Sequence, residues 1–563
     1  MKHIKIVISL VALLSILGFA FYQAYSPTTP ARAQEGGQVE SSSATTGVPQ
    51  LAQLPLLQNP PVPSPEQLRE RAYFQQQGPK QIPALPEGTT AVARVDSILE
   101  PSTQTNVPSF ENQAGNQTPL VPGTFTLFRN SNLGATIKSQ TAYVAEPSVA
   151  NSGNIVFETG NWYGAISVDG GQTFKYVDPY TLFPASYGGF CCDQIAIYDP
   201  ARDVFIWYLQ YVSSGAPGSG QNLFRIAVAS PTSAAQGSWI FYDFSSPANT
   251  EWDYPDMCLS NDYLWITTNR GPFNASYVND AWMFKFPLDP LSVGAGFGYG
   301  FVDLGANGLA NFSLRCTRGA HETMYFGTHN STSQIRILRW AENSNSIFWN
   351  DVNLSVTWNN STHTCPGPDA RDWCGFDDAR IKAGWVSQGR IGFMWGASQG
   401  GGFAYPYVEA VRVKESDRTY LDRPIIWNST FAFTYPAASP NARGDLGVAL
   451  FFGGGSYYPS FALSIDDDYS RDAGYGPAPW ELLGVVQSSQ GPLFNRWGDY
   501  LSVQPFAPTS LAWIASGYSL QGCGSFSGCA ESNYEIFGRS RDLPSVKKYY
   551  NPIFGTFLPL MVK

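Results

Sequence analysis

Asp193, Asp253, Asp378, Arg380, Arg496 and Asp499 each stand at or just ahead of a short β-prone run, and Trp162, Tyr163, Arg270 and Tyr457 stand at the far end of one. These residue types suit ligand recognition: carboxylates accept hydrogen bonds from hydroxyls, guanidinium groups hold anionic groups, and aromatic rings offer flat apolar faces. The neighbouring loops add Asn161, Asn330, Ser398, Tyr405 and Gly455-Ser456-Tyr457-Tyr458. Tyr, Trp, Ser, Gly and Asn together form adaptable binding surfaces. The same aspartates and arginines would equally serve as ion pairs that lock neighbouring strands together. Glycoside hydrolysis needs two carboxyl groups about 5–10 Å apart, and spacing along the chain assigns no such pair.

Other chemistries find little support. Gly396-Ala397-Ser398-Gln399-Gly400 has the Gly-x-Ser-x-Gly spacing, but Gly401-Gly402 and a further strand follow where a nucleophile elbow requires a helix. The chain has 4 histidines, and His321-Glu322 lacks the second His of a zinc helix. Its 8 cysteines include no Cys-x-x-Cys pair, so disulfides are expected, with Cys365/Cys374 and Cys523/Cys529 as local loop staples. Cys191 and Cys192 are adjacent, and Cys258 and Cys316 fall on consecutive innermost strands. No metal site or cofactor is expected, except that Asp466-Asp467-Asp468 could contribute to a Ca²⁺ site. The formal net charge of −10 argues against a nucleic-acid partner.

The elements that must position these residues are strands. A pattern of alternating aliphatic and aromatic residues recurs from Asn154 (NIVFETG), Asp203 (DVFIWYLQ), Asp262 (DYLWITTN), Glu322 (ETMYFGTH), Arg390 (RIGFMWGA), Asp445 (DLGVALFF) and Ser510 (SLAWIASG). The interval of about 60 residues suits four-stranded blades with generous loops. A third strand follows each copy, and a fourth follows most of them. The seventh unit lacks its fourth strand, which TFTLFRN from Thr124 would supply, closing the ring by pairing the two chain ends. The expected fold is all-β, a seven-bladed β-propeller over residues 123–546. In such blades the first-strand starts and the second-to-third loops share one face, so the polar residues named above would ring one mouth of the central axis.

In the first unit, the third-to-fourth turn reads Ser167-Val168-Asp169-Gly170-Gly171-Gln172-Thr173-Phe174. It resembles the Asp-box (BNR repeat) of the sialidase-like propeller superfamily, Ser-x-Asp-x-Gly-x-Thr-Trp, with Ser167, Asp169, Gly171 and Thr173 matching and Phe174 in place of Trp. Ser464-Ile465-Asp466 holds the equivalent turn of the sixth unit as a degenerate copy. The resemblance implies a propeller, with a six-bladed sialidase-type ring as the alternative blade count, and it implies a structural turn. Sialidase activity would need an arginine triad and a Phe/Tyr-Arg-Ile-Pro motif. The motif is absent; Arg129 is a poor substitute, and Arg315, Arg380 and Arg496 could converge.

Residues 1–33 have the layout of a secretory leader, with Lys2 and Lys5, an apolar run and Ala31-Arg32-Ala33. An uncleaved membrane anchor is the alternative. Residues 34–122, rich in Pro, Gln, Ser and Thr, are expected to be a disordered stalk with one short helix, capped by Ser64 and Gln67. Residues 547–563 form a tail. The expectation is a secreted propeller that binds a glycan or an extracellular protein through its polar mouth, without inserting in a membrane once the leader is cleaved. The alternative is an exo-acting glycoside hydrolase or a polysaccharide lyase.

Overall fold

The computed structural model describes residues 34–45, 48–60, 63–64, 67, 79–94, 109–110, 122–133, 144–216, 219–472, 480–522 and 529–549. Seven antiparallel core sheets follow one another along the chain, each running from an innermost to an outer strand. Their innermost strands are Ser148–Ser152, Phe190–Asp199, Thr250–Leu259, Arg315–Cys316, Ile381–Ser387, Ala432–Pro440 and Ser502–Pro505, which define blades 1 to 7. The ring is a seven-bladed β-propeller, and the six-bladed alternative fails on the sheet count. Blade 7 takes its outer strand from Phe125–Asn132, which pairs antiparallel with Ala530–Arg539 and joins the two ends of the ring.

The period-2 alternation explains the stacking. In blade 2, Val204–Tyr211 is buried on both faces. Phe205, Trp207 and Leu209 pack with Ala150, Phe157 and Ile166 of blade 1. Ile206 and Tyr208 point the other way, towards Met257, Leu264 and Ile266 of blade 3. One strand thus serves two interfaces because successive side chains leave opposite faces.

The expected stalk is where the structure differs most. Gln34–Glu40 pairs with Ser346–Asn353 on blade 4, Ser42–Thr45 with Gly298–Asp303 on blade 3, and Gln50–Gln53 with Ser238–Ser245 on blade 2. Leu57 then bridges Tyr176 on blade 1. The segment is a belt that adds a fifth strand to three blades and touches a fourth, and Ser109–Phe110 adds a parallel strand to blade 6. The segment has little apolar surface of its own to bury, which is why its composition suggests disorder. Outer blade edges instead offer unpaired N–H and C=O groups, which a polar strand satisfies equally well. Gly36 and Gly37 lie beneath the Trp349 ring, and a Cβ on Gly36 would come within 1.9 Å of Trp349 Nε1. The expected capping box is formed, with Gln67 N–H donating to Ser64 Oγ (3.2 Å) and Ser64 N–H to Gln67 Oε1 (2.8 Å). The rest of the expected helix, the expected leader and the last residues of the expected tail lie outside the described residues.

Disulfides join Cys191 to Cys192, Cys258 to Cys316 and Cys365 to Cys374. The second ties the innermost strands of blades 3 and 4, and the third is an expected loop staple. Cys529 is disulfide-bonded, while Cys523 lies outside the described residues. Among the described residues no helix is long and apolar enough to cross a membrane.

Candidate ligand site at the axial face

The innermost strands begin at one mouth of the axis, and a chain of contacts there runs through all seven blades. Glu146, ahead of blade 1, accepts the Asp499 backbone N–H at 3.0 Å, and Arg496 lies 3.9 Å from Glu146 and 3.6 Å from Asp499. The Tyr500 hydroxyl of blade 7 donates to Asp193 of blade 2 at 3.2 Å. The ring of Tyr500 lies 5.0 Å from that of Tyr254 in blade 3. Arg315 of blade 4 stands 5.6 Å from the Tyr254 ring, and Lys382 of blade 5 donates to its hydroxyl at 3.3 Å. Lys382 also stands 5.3 Å from the ring of Tyr435 in blade 6.

The charges are sorted by side. Around blades 4 and 5 each cation has a carboxylate: Arg315 with Asp256 at 3.0 Å, Arg380 with Asp378, and Lys382 with Asp377 at 3.4 Å. Burial works against ionisation of Asp377, but Lys382 and His363, whose Nδ1 lies 3.3 Å from Asp377 Oδ2, hold it below the usual carboxylate range. Around blades 7, 1, 2 and 3 the acids Asp499, Glu146, Asp193 and Asp253 stand with Arg496. Burial, then repulsion from Asp499, pushes Glu146 up to about 7 despite Arg496. Burial and the charges of Glu146, Asp253 and Asp499 push Asp193 well above its ordinary range. Among the described residues, Asp499 Oδ1, Arg496 Nη1 and Tyr435 Oη are buried at this mouth without a hydrogen-bond partner, as is Asp377 Oδ2.

Of the residues singled out from sequence, Asp193, Asp253, Asp378, Arg380, Arg496 and Asp499 come together here. The others do not. Arg270 is held by Asp280 and, at 3.0 Å, by Asp303, all within blade 3. Tyr163 is fully buried between blades 1 and 7, where its hydroxyl donates to Glu158 Oε1 at 2.9 Å and lies 2.9 Å from Ser532 Oγ. Trp162 packs against Val144 and Tyr180, and Tyr457 against Phe431 and Phe452. These rings were expected to wall the mouth; they fill the seams between blades, where an aromatic buries more surface. Glu146, Tyr254, Lys382, Tyr435 and Tyr500 were missed. Glu146 had a readable cue, since it precedes an innermost strand as Asp378 and Asp499 do.

The belt chain returns across this face. Lys80 pairs with Glu251 of blade 3, and its carbonyl accepts from Arg380 Nη2 of blade 5 at 2.5 Å. The segment continues along the rim, where Gly88 N–H donates to Thr332 Oγ1 at 2.8 Å and Thr357 N–H donates to Ala91 O at 2.7 Å. Lys80 therefore narrows the mouth on the side of blades 3 to 5.

The turn of blade 1 at Ser167–Phe174 lies on the opposite face. Asp169 Oδ1 accepts the backbone N–H groups of Gln172 and Thr173, both at 2.9 Å, and Ser167 Oγ accepts that of Gly171 at 2.8 Å. Gly171 has φ +85°, which a side chain would strain, and Phe174 packs on Tyr534 of blade 7. The turn of blade 6 has a different hydrogen-bond set: Ser464 Oγ donates to Glu481 O, and Asp467 is paired with Arg539 at 2.7 Å. Asp468 is held by Arg541 at 2.7 Å, so guanidinium groups occupy the carboxylates that a Ca²⁺ ion would need. Ser398 of the Gly-x-Ser-x-Gly run is fully buried and donates to Ser361 O.

No known family pattern matches this sequence, and no curated protein matches it. Among solved structures, the chain is similar to a Dyadobacter fermentans protein of unknown function (9% identity, 74% of this chain and 100% of the other, TM-score 0.38). It is also similar to an α-L-arabinofuranosidase of Fusarium graminearum in complex with an iminosugar inhibitor (8%, 75% and 100%, 0.37). A third is the NanB sialidase of Streptococcus pneumoniae (10%, 74% and 71%, 0.33).

Proposed function

We propose that the protein is an exported propeller that binds a glycan at the axial mouth. The observation that carries this reading is the convergence of side chains from all seven blades on one mouth, with Asp499 Oδ1, Arg496 Nη1 and Tyr435 Oη left without partners. An unpaired buried polar atom costs free energy, and sugar hydroxyls, which both donate and accept, would satisfy all three. The disulfides support an oxidising compartment and hence export. In this reading the turn at Ser167–Phe174 is a structural Asp-box that braces blade 1 against blade 7.

A hydrolase is the second reading, favoured by one observation: Glu146 and Asp193 both have raised proton affinities, as a general acid requires. A sialidase is disfavoured, because Arg315 and Arg380 are each held by a carboxylate of this chain, so the three arginines do not form a free triad for a substrate carboxylate. A panel of chromogenic glycosides beside calorimetric titration with oligosaccharides separates the readings. Saturable binding without turnover is expected, weakened in Arg496→Ala; turnover abolished by Asp193→Asn would establish the hydrolase instead.

A further inference from the structure

Resting on the glycan-binding reading, we infer that the disulfide between the neighbouring residues Cys191 and Cys192 is the apolar platform of the axial site, on which a pyranose packs through its C–H face while Asp193 bonds its hydroxyls.

Cross-linking does not account for this disulfide. A disulfide stabilises a fold chiefly by closing a loop of the unfolded chain, and the effect grows with the length of the loop. Cys258–Cys316 spans 58 residues and ties two blades, and Cys365–Cys374 spans 9. Cys191–Cys192 joins residues 1 apart and closes no loop. The four cysteines of the other two bonds are buried, whereas Cys191 and Cys192 both keep part of their surface exposed.

The bond instead shapes the start of a strand. Consecutive side chains of a strand leave opposite faces, but two bonded sulfurs must lie on one side of the chain, so the pair cannot stay in the ladder. The pairing of blade 2 accordingly breaks between Phe190, opposite Tyr211, and Gln194, opposite Leu209. Irregularities of this kind re-aim side chains beside a site. This one lies at the mouth, because the next residue, Asp193, accepts the Tyr500 hydroxyl of blade 7 at 3.2 Å. Its mount is firm. The Tyr180 hydroxyl donates to Cys191 O at 3.3 Å, and the buried Phe190 ring lies 4.9 Å from the Tyr180 ring and 6.4 Å from that of Tyr211.

The chemistry suits a neutral sugar. Disulfide sulfurs carry no charge, bond weakly to water and are polarizable, so they favour contact with C–H groups. Burial, then repulsion from Glu146, Asp253 and Asp499, favours the un-ionised form of Asp193. A neutral carboxyl both donates and accepts, as a sugar hydroxyl does. An apolar face with a polar group at its edge is the usual make-up of a small-ligand site. Lys80 narrows the mouth over blades 3 to 5, away from this platform on blade 2.

The test combines calorimetric titration of the full chain with phosphine reduction. The probes are the β-1,4 tetramers of glucose, N-acetylglucosamine and galactose. The phosphine converts a disulfide to two thiols and becomes its oxide, taking oxygen from water, and peptide mapping reads which bond has opened. The tightest-binding tetramer, at a free concentration about ten times its Kd, is expected to slow reduction of Cys191–Cys192 about tenfold. In the double variant Cys191→Ser, Cys192→Ser its affinity should fall about tenfold, while the thermal melt stays that of the parent because no loop was closed. An unchanged reduction rate overturns the inference, as does full affinity in the double variant, and either leaves glycan binding standing. Should the double variant not fold, the reduction rate of the parent decides alone. Binding of none of the tetramers overturns the glycan reading and this inference with it.

Discussion

Glu146 shows how the residues at the axis balance burial against charge. Its carboxyl is raised from 4.5 to about 7 because it is buried and Asp499 repels its ionised form. A raised folded-state value means that the stabilising contribution is complete below the ordinary range and is lost as pH rises through about 7. Glu146→Gln keeps an oxygen for the Asp499 N–H. The variant should therefore melt like the parent near about pH 4 and above it beyond about pH 7, by at most roughly 3 kcal/mol. Thermal melts across that window are the check, and an equal offset at both ends contradicts the assignment. Arg270 belongs to the opposite class. Its removal would leave the carboxyl of Asp280, which is 3% exposed, without its cation. Arg270→Ala is expected to cost about 3 kcal/mol in a denaturant melt and to leave oligosaccharide affinity unchanged in the folded protein. Sequence alone could find the acids that open innermost strands, because their position repeats from blade to blade. It could not tell Arg270 from Arg380: each pairs with a carboxylate of its own blade, but only Arg380 stands ahead of an innermost strand and meets the Tyr254 ring of another blade.

The belt is the element that composition hid. Residues 34–53 have few large apolar side chains, yet Val39 and Ala52 are buried and the backbone completes three blade edges. A variant lacking residues 34–57 should show faster amide exchange in Ser346–Asn353, Gly298–Asp303 and Ser238–Ser245, because those edges lose their partner strand. Exchange in Tyr420–Asp422, the outer strand of blade 5, should not change, as the belt does not reach it. Unchanged exchange in all four strands would mean that the belt does not protect the edges. The Gln67 cap was readable because it is a local pairing three residues long. The belt strands were not, because their partners lie hundreds of residues away and their pattern shows no burial of their own.

The whole molecule is a ring whose ends are joined by Phe125–Asn132, and that closure was legible from the missing fourth strand of the last repeat. Blade count and closure could be read because a period-2 pattern recurring every 60 residues or so has few architectural solutions. What lay beyond the pattern was the axis itself, where Tyr254, Lys382, Tyr435 and Tyr500 meet from four separate blades. We propose that this axis, and not the face carrying the Ser167–Phe174 turn, binds a glycan. Hydrogen exchange of the full chain, with and without the tightest-binding oligosaccharide, tests it most directly. Protection is expected in peptides covering residues 190–194, 252–256, 378–382 and 495–500, which surround the mouth. Protection confined to residues 167–174 and the other turns of the opposite face would contradict it.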